Sequence, residues 1–262
     1  MAQPRSPLKS KPLRNPGQSL DEKIQQVIDN QAMAPFAAII MLWTVALIEW
    51  FLVWRDAPRQ PWVFTIAALV GTAWLVHRFI RIRHTVKSLK LGRDGERAVG
   101  QFLDGLREGG ARIFHDVPAE GFNLDHVVIS THGIYVVETK TITKPSADAK
   151  VIYDGEQVTV AGFKPDRDPV AQAKAQSTWL RRLLQQSTGR DFAVRGVVVY
   201  PRWWIEQANK ARQREVWVLE PKALPKYIEN SPAVMSPEDV AMSSYHLSRY
   251  VRAENRSQDR AS

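Results

Sequence analysis

The chain has 262 residues, of which 44% are hydrophobic and 24% charged, with a formal net charge of +9 and no cysteine. The missing thiols exclude disulfide staples, thiol nucleophiles and cysteine zinc sites, and the basic excess suits an acidic partner, either nucleic acid or anionic lipid head groups. No H-E-x-x-H, G-x-S-x-G or G-x-x-x-x-G-K-[ST] occurs, so zincin, serine-hydrolase and P-loop chemistries lack their defining parts.

Residues 1–32 read as a polar, basic N-terminal tail, disordered from Met1 to Gly17. Met33 to Trp54 is apolar except for Glu49, and as a helix it would extend roughly 33 Å, enough to cross the core of a bilayer. A second apolar run, Pro61 to Val76, is extended through His77 and Arg78 to Ile80, where the arginine stem can reach the interface. Residues 33–80 therefore read as a transmembrane helical hairpin, with a soluble helical hairpin as the alternative. A signal peptide fits poorly, because the apolar run starts only at Met33 and no small-residue cleavage site follows. Arg5, Lys9, Lys11, Arg14 and Lys23 precede the hairpin and Arg78, Arg81, Arg83, Lys87, Lys90 and Arg93 follow it, against Arg55 and Arg59 in the loop. The positive-inside rule then expects both termini, and the folded domain, on the cytoplasmic face of the membrane. Residues 81–91 read as a basic juxtamembrane linker, and the basic run from Arg78 to Arg93 that contains it reads as a topology signal first and a DNA-tracking surface second.

Residues 92–252 are ample for one domain. A helix near 94–107, capped near Asp94, carries an apolar stripe of Val99, Phe102, Leu103 and Leu106. Strand-like runs follow at Ala111–Val117, Leu124–Ser130, Ile134–Lys140, Lys150–Asp154 and Gln157–Ala161, with Asp154-Gly155 as a hairpin turn. Asp168-Pro169 is an N-cap followed by proline at the first helical position, opening a helix over 169–187. Strands at Val194–Tyr200 and Glu215–Leu219 and a helix over 237–252 complete the domain, and 253–262 reads as a disordered tail. Val197 to Tyr200 is apolar on both faces, as expected of a strand covered by helices on each side. The order points to an α/β fold with a mixed central sheet flanked by helices.

The chemistry concentrates on two of these strands. Asp125 lies in Leu124–Ser130, and beyond the Thr131-His132-Gly133 turn Glu138 and Lys140 lie in Ile134–Lys140. Strand alternation puts Glu138 and Lys140 on one face, and a hairpin brings Asp125 beside them. Two converging carboxylates repel unless a cation or a shared proton lies between them, and hard oxygen ligands suit Mg2+ or Mn2+. A lysine next to such an ion can steady a phosphate or an attacking water, so the group is what a metal-dependent phosphodiester hydrolase requires. The plain alternative is a solvated strand edge. Glu96, on the edge of its helix's apolar stripe, needs a cation nearby or serves as a helix-start acid. Gln172 and Gln176, four apart, share a helix face that either points to the strands or is solvated. His115, His126 and His132 suit turn or packing roles better than general-base roles. Trp203-Trp204 suits packing over the sheet edge better than base stacking.

In the order Gly92-x-x-Gly95-Glu96, Asp125-His-Val-Val, Gly133-Ile-Tyr-Val-Val-Glu-Thr-Lys140 and Asp168-Pro-x-x-Gln172, the chain resembles the nuclease-related domain, NERD, a branch of the PD-(D/E)xK phosphodiesterases, from about Gly92 to about Pro201. The resemblance implies a restriction-endonuclease-like core acting on DNA or RNA. In it Asp125 and Glu138 hold Mg2+ or Mn2+, Lys140 assists hydrolysis, and Glu96 and Gln172 complete the site, Glu96 as a further metal acid. Leu124 stands where the superfamily has proline, and no early glycine follows Lys140. A domain of this kind can also keep its carboxylates and only bind nucleic acid or a protein, or act as an interaction scaffold.

Overall fold

The computed structural model describes residues 13–29, 34–55, 61–207 and 214–261. The chain divides into two compact units: Ser19–Leu91, and a second that starts at Gly92 and takes in the segment ending at Gln18.

The first unit holds α1 (Gln18–Ile28), α2 (Ala34–Trp54) and the beginning of α3 (Pro61–Asp104). α2 and α3 each contain a stretch long and apolar enough to cross a membrane. At Gly71 the two helices come close, a Cβ there lying 2.7 Å from the tip of the Ile39 side chain. The Trp43 indole N–H donates to Thr72 Oγ1 and that of Trp50 to Thr65 Oγ1, both at 2.9 Å. The polar atom of the Trp43 ring is thus satisfied by the facing helix. α3 runs unbroken through residues 81–91 and past Asp94, so the basic stretch is helical and the expected cap at Asp94 is corrected. Nothing between Arg78 and Leu91 breaks a helix, and Lys, Leu and Arg all favour one.

In the second unit a five-stranded mixed sheet has the order β1-β2-β3-β6-β8. It comprises β1 (Arg112–Ala119), β2 (Phe122–Ser130), β3 (Gly133–Thr139), β6 (Val194–Val199) and β8 (Val216–Leu219). β1, β2 and β3 form an antiparallel meander, and β6 and β8 add in parallel. A three-stranded sheet, β5-β4-β7, which the hydropathy pattern does not separate from the first, combines β4 (Lys150–Tyr153), β5 (Val158–Val160) and β7 (Trp204–Gln207). Gly155, at φ 103°, makes the expected β4–β5 turn.

The helices are α4 (Pro169–Thr188), α5 (Leu224–Glu229) and α6 (Pro237–Ala261). Asp168 caps α4, accepting from Val170 N and Ala171 N, and Gly189 ends it in the left-handed conformation. One face of the large sheet packs Val127, Ile129 and Val136 against Leu180 and Leu184 of α4 and Leu247 of α6. On the other, Val128, Val137 and Val197 meet Val99 and Leu103 of α3 and Leu224 and Ile228. The sheet is thus covered on both sides. α6 extends through the segment expected to be disordered, which contains no Gly or Pro before the end of the helix. Part of the N-terminal tail is also ordered. Arg14 Nε meets Asp116 Oδ2 at 3.0 Å, and Asn123 Nδ2 donates to Asp116 Oδ1 at 2.9 Å, so a buried acid has both a charge partner and a hydrogen bond. Residues 1–12 lie outside the described residues.

Candidate functional site

The site is built at the end of the β2–β3 hairpin. His126 pairs with Val137, so the next residues out, Asp125 and Glu138, come side by side where the ladder stops. There Thr139 N donates to Asp125 Oδ2 at 2.7 Å. Lys140, just past the strand, is held by a bond from its N–H to Val199 O of β6. Its ammonium turns back to donate to Glu138 Oε1 and to Gln172 Oε1, each at 2.8 Å.

α4 supplies the other side. Gly196 of β6 makes this possible, because a Cβ there would lie only 2.8 Å from Ala173 O. The close approach carries the flanking Gln172 and Gln176 down onto Glu138. Gln172 Nε2 donates to Glu138 Oε1 at 2.8 Å and Gln176 Nε2 to Glu138 Oε2 at 2.6 Å. Three donors thus fix a carboxylate that is only 5% exposed.

A second glycine brings in α3. A Cβ on Gly95 would fall 1.8 Å from Thr141 Oγ1, so the helix can lie against the segment after Lys140 only where a side chain is missing. The neighbouring Glu96 is buried and its charge reaches Asp125. Burial, then the charges of Glu138 and Glu96, push the Asp125 carboxyl well above its ordinary range, with the Thr139 N–H and Lys140 opposing them.

The structure therefore brings Asp125, Glu138, Lys140 and Gln172 together and sets Glu96 within electrostatic reach. Gln176 belongs with them; its spacing from Gln172 was the signal. Tyr200 is a further neighbour that no motif marks. Burial, then Asp168 and Glu138, raise its phenol, which stays protonated. Thr139 Oγ1, Thr141 Oγ1, Gln176 Oε1 and Tyr200 Oη are buried without a hydrogen-bond partner among the described residues. Such a concentration of orphaned polar atoms is expected where a water, ion or substrate completes the site. Among the described residues no three His, Asp or Glu side chains are grouped to hold a metal between them.

The histidines have other partners. His115 Nδ1 and His126 Nδ1 are 2.9 Å apart and buried, and His132 Nδ1 is 2.6 Å from Ser231 O. Burial, then the neighbouring His115, holds His126 well below its ordinary range. Trp203 is buried, whereas Trp204 is 72% exposed, so only the first of the pair packs.

Residues 91–201 match the family described as NERD, nuclease-related domain. The chain carries a NERD domain. All of Glu96, Asp125, Glu138, Lys140, Gln172 and Gln176 lie inside the matched segment, as does Gly196, which lets α4 approach. No curated protein and no solved structure matches the chain.

Proposed function

We propose that this chain is a membrane-anchored phosphodiesterase whose NERD domain hydrolyses DNA or RNA with the help of Mg2+ or Mn2+. The observation that carries the reading is the meeting of Asp125, Glu138 and Lys140 at one strand end, with Gln172 and Gln176 aligning Glu138. The donor set suits a hard cation: its acidic groups are carboxylates, without thiol or imidazole. Burial and then the charges of Glu138 and Glu96 raise Asp125, and a bound cation would relieve that repulsion. Asp125 and Glu138 would hold the ion and Glu96 would complete the acidic set. Two carboxylates suffice for Mg2+, which keeps waters and takes further oxygens from phosphate. When bound, a divalent ion supplies Lewis-acid polarisation of a phosphoryl oxygen. Lys140 contributes a fixed positive charge for the phosphate, and the orphaned hydroxyl of Tyr200, within electrostatic reach of Glu138, offers a donor.

Anchoring is supported by the outer surfaces of α2 and α3, where Phe36, Ile40, Leu47, Phe51, Ile66, Leu69 and Val70 are exposed. A face of this kind is costly in water and ordinary in lipid. The positive flanks favour the cytoplasmic side for the domain and both termini.

The full chain in detergent should cut labelled DNA or RNA with Mn2+, and Asp125→Ala or Lys140→Ala should abolish cutting while the protein stays folded. One observation favours a second reading, a non-catalytic binding module: Glu138 already accepts from three donors of the chain's own. A folded protein that binds nucleic acid and never cuts it would decide for that reading.

A further inference from the structure

Beyond the end of the NERD match, a cavity of about 440 Å3 opens between β7 and the segment after β8. It is lined by Trp203, Trp204, Gln207, Leu219, Glu220 and Tyr227 among others. All its lining residues follow Pro201, so none lies in the matched segment. Its size falls within the usual range of small-ligand sites, roughly 300–1,000 Å3.

Strand register fixes where this cavity lies relative to the carboxylates. Thr139 of β3 pairs with Val199 of β6, and Val199 pairs with Leu219 of β8. Lys140 and Glu220 are the next residues along their strands, so they leave the same end of the sheet two strand spacings apart, about 10 Å. The connection is also physical. The Trp203 indole N–H donates to Ile142 O, two residues beyond Lys140, at 3.1 Å, and the Lys144 ammonium lies 5.3 Å from the Trp203 ring centroid. The cavity wall is thereby tied to the segment that carries the site lysine.

The lining has a particular chemistry. Trp204 offers an exposed aromatic face, presented by a turn in which Arg202 takes φ 67°, an uncommon conformation for a residue with a side chain. Gln207 is held in place, its Nε2 donating to Val218 O and its Oε1 accepting from Tyr227 OH at 3.4 Å. Glu220 Oε2 accepts from Lys222 N at 2.9 Å, and its Oε1 takes no hydrogen bond among the described residues. A fixed carboxylate repels phosphate but accepts from the exocyclic amines of bases. An aromatic plane beside fixed acceptors, with Lys144 and Lys222 outside for the backbone, suits an unpaired base flanking a phosphodiester.

We propose that this cavity receives a nucleobase of a single-stranded stretch, stacked on Trp204 and read at its edge by Glu220 and Gln207, next to the bond to be cut. The proposal rests on the nucleic-acid reading of the NERD site and adds that the substrate is single-stranded there. The test uses the full chain in detergent with fluorescent single-stranded 12-mers of DNA and RNA and the corresponding DNA duplex. Binding is measured by anisotropy in EDTA and cleavage in Mn2+. Trp204→Ala should weaken single-strand binding roughly 10- to 100-fold, leave duplex binding unchanged and leave the melting temperature intact. Trp204→Phe should restore most of the binding. Equal loss in both variants, no loss in either, or no single-strand binding by the unsubstituted chain would each overturn the cavity assignment. If the unsubstituted chain binds single strands through Trp204 but cuts nothing, the cavity stands and the hydrolytic reading falls. Cutting that ignores Trp204 gives the reverse.

Discussion

Gly196→Ala tests the packing on which the site geometry rests. The Cβ it introduces would meet Ala173 O at 2.8 Å and Ala173 Cβ at 3.1 Å, and ordinary contact begins near 3.4 Å. A backbone carbonyl cannot rotate away as a side chain can, so α4 must withdraw from β6 by the difference, about 0.6 Å. Ala173 lies between Gln172 and Gln176, whose bonds to Glu138 measure 2.8 and 2.6 Å. A withdrawal of that size takes both to or past the outer limit of a good N–H···O bond, about 3.2 Å. Overpacking of this kind costs about 1–3 kcal/mol, and replacing glycine within a strand returns about 0.5–1 kcal/mol. A net loss of about 0.5–2 kcal/mol corresponds to a fall in Tm of roughly 1–8 °C for a domain of this size. Intrinsic tryptophan fluorescence of the full chain in detergent would follow the transition. A Gly196→Ala protein that melts with the unsubstituted one would refute the claim that glycine is what seats α4 on the sheet.

Two further outcomes follow from the charges. Asp125 is raised in the folded state, so its contribution to stability is fully present below the unfolded carboxyl pKa of about 3.9 and is lost as pH rises through the folded value. In EDTA, Asp125→Asn should therefore be more stable than the unsubstituted chain at pH 7, with the gap closing toward pH 4; melting curves across that range check it, and a variant less stable at pH 7 contradicts it. Gln176→Leu removes a donor 2.6 Å from a buried carboxylate, which should cost about 1.5–3 kcal/mol. Denaturant titration reads the loss, and an unchanged midpoint would show that Gln176 does not support Glu138.

The β2–β3 hairpin was legible because two apolar, β-branched runs flank a glycine turn, which fixes both the register and the face shared by Glu138 and Lys140. The start of α4 was legible for a similarly local reason, since Asp168-Pro169 is a cap that needs no tertiary information. Other features depend on contacts distant in sequence. β7 is four residues long with a polar half, and it becomes a strand by pairing in parallel with β4. Arg14 looked like part of a solvated tail until Asp116 supplied its partner. The unbroken course of α3 was hidden by Asp94, which can cap a helix but does not stop one already propagating. Gln176 was marked by its spacing from Gln172, but which way that face points is settled only by Gly196 and the close seat of α4, and Tyr200 joins the site through the β3–β6 pairing, which no motif announces. Trp203 and Trp204, adjacent and alike, separate into a buried anchor and an exposed face through strand alternation and the turn at Arg202.

The group at Asp125, Glu138 and Lys140 is either a divalent-cation centre or a closed hydrogen-bonded cluster, and Mn2+ binding separates the two. Electron paramagnetic resonance on the full chain in detergent counts free against bound Mn2+ as the ion is titrated. A hydrolytic centre gives a saturable site at the carboxylates that disappears in Asp125→Asn and weakens in Glu138→Gln. Mn2+ that stays free at every concentration, or binds equally well to Asp125→Asn, would leave the carboxylates as structural groups and remove the basis for hydrolysis.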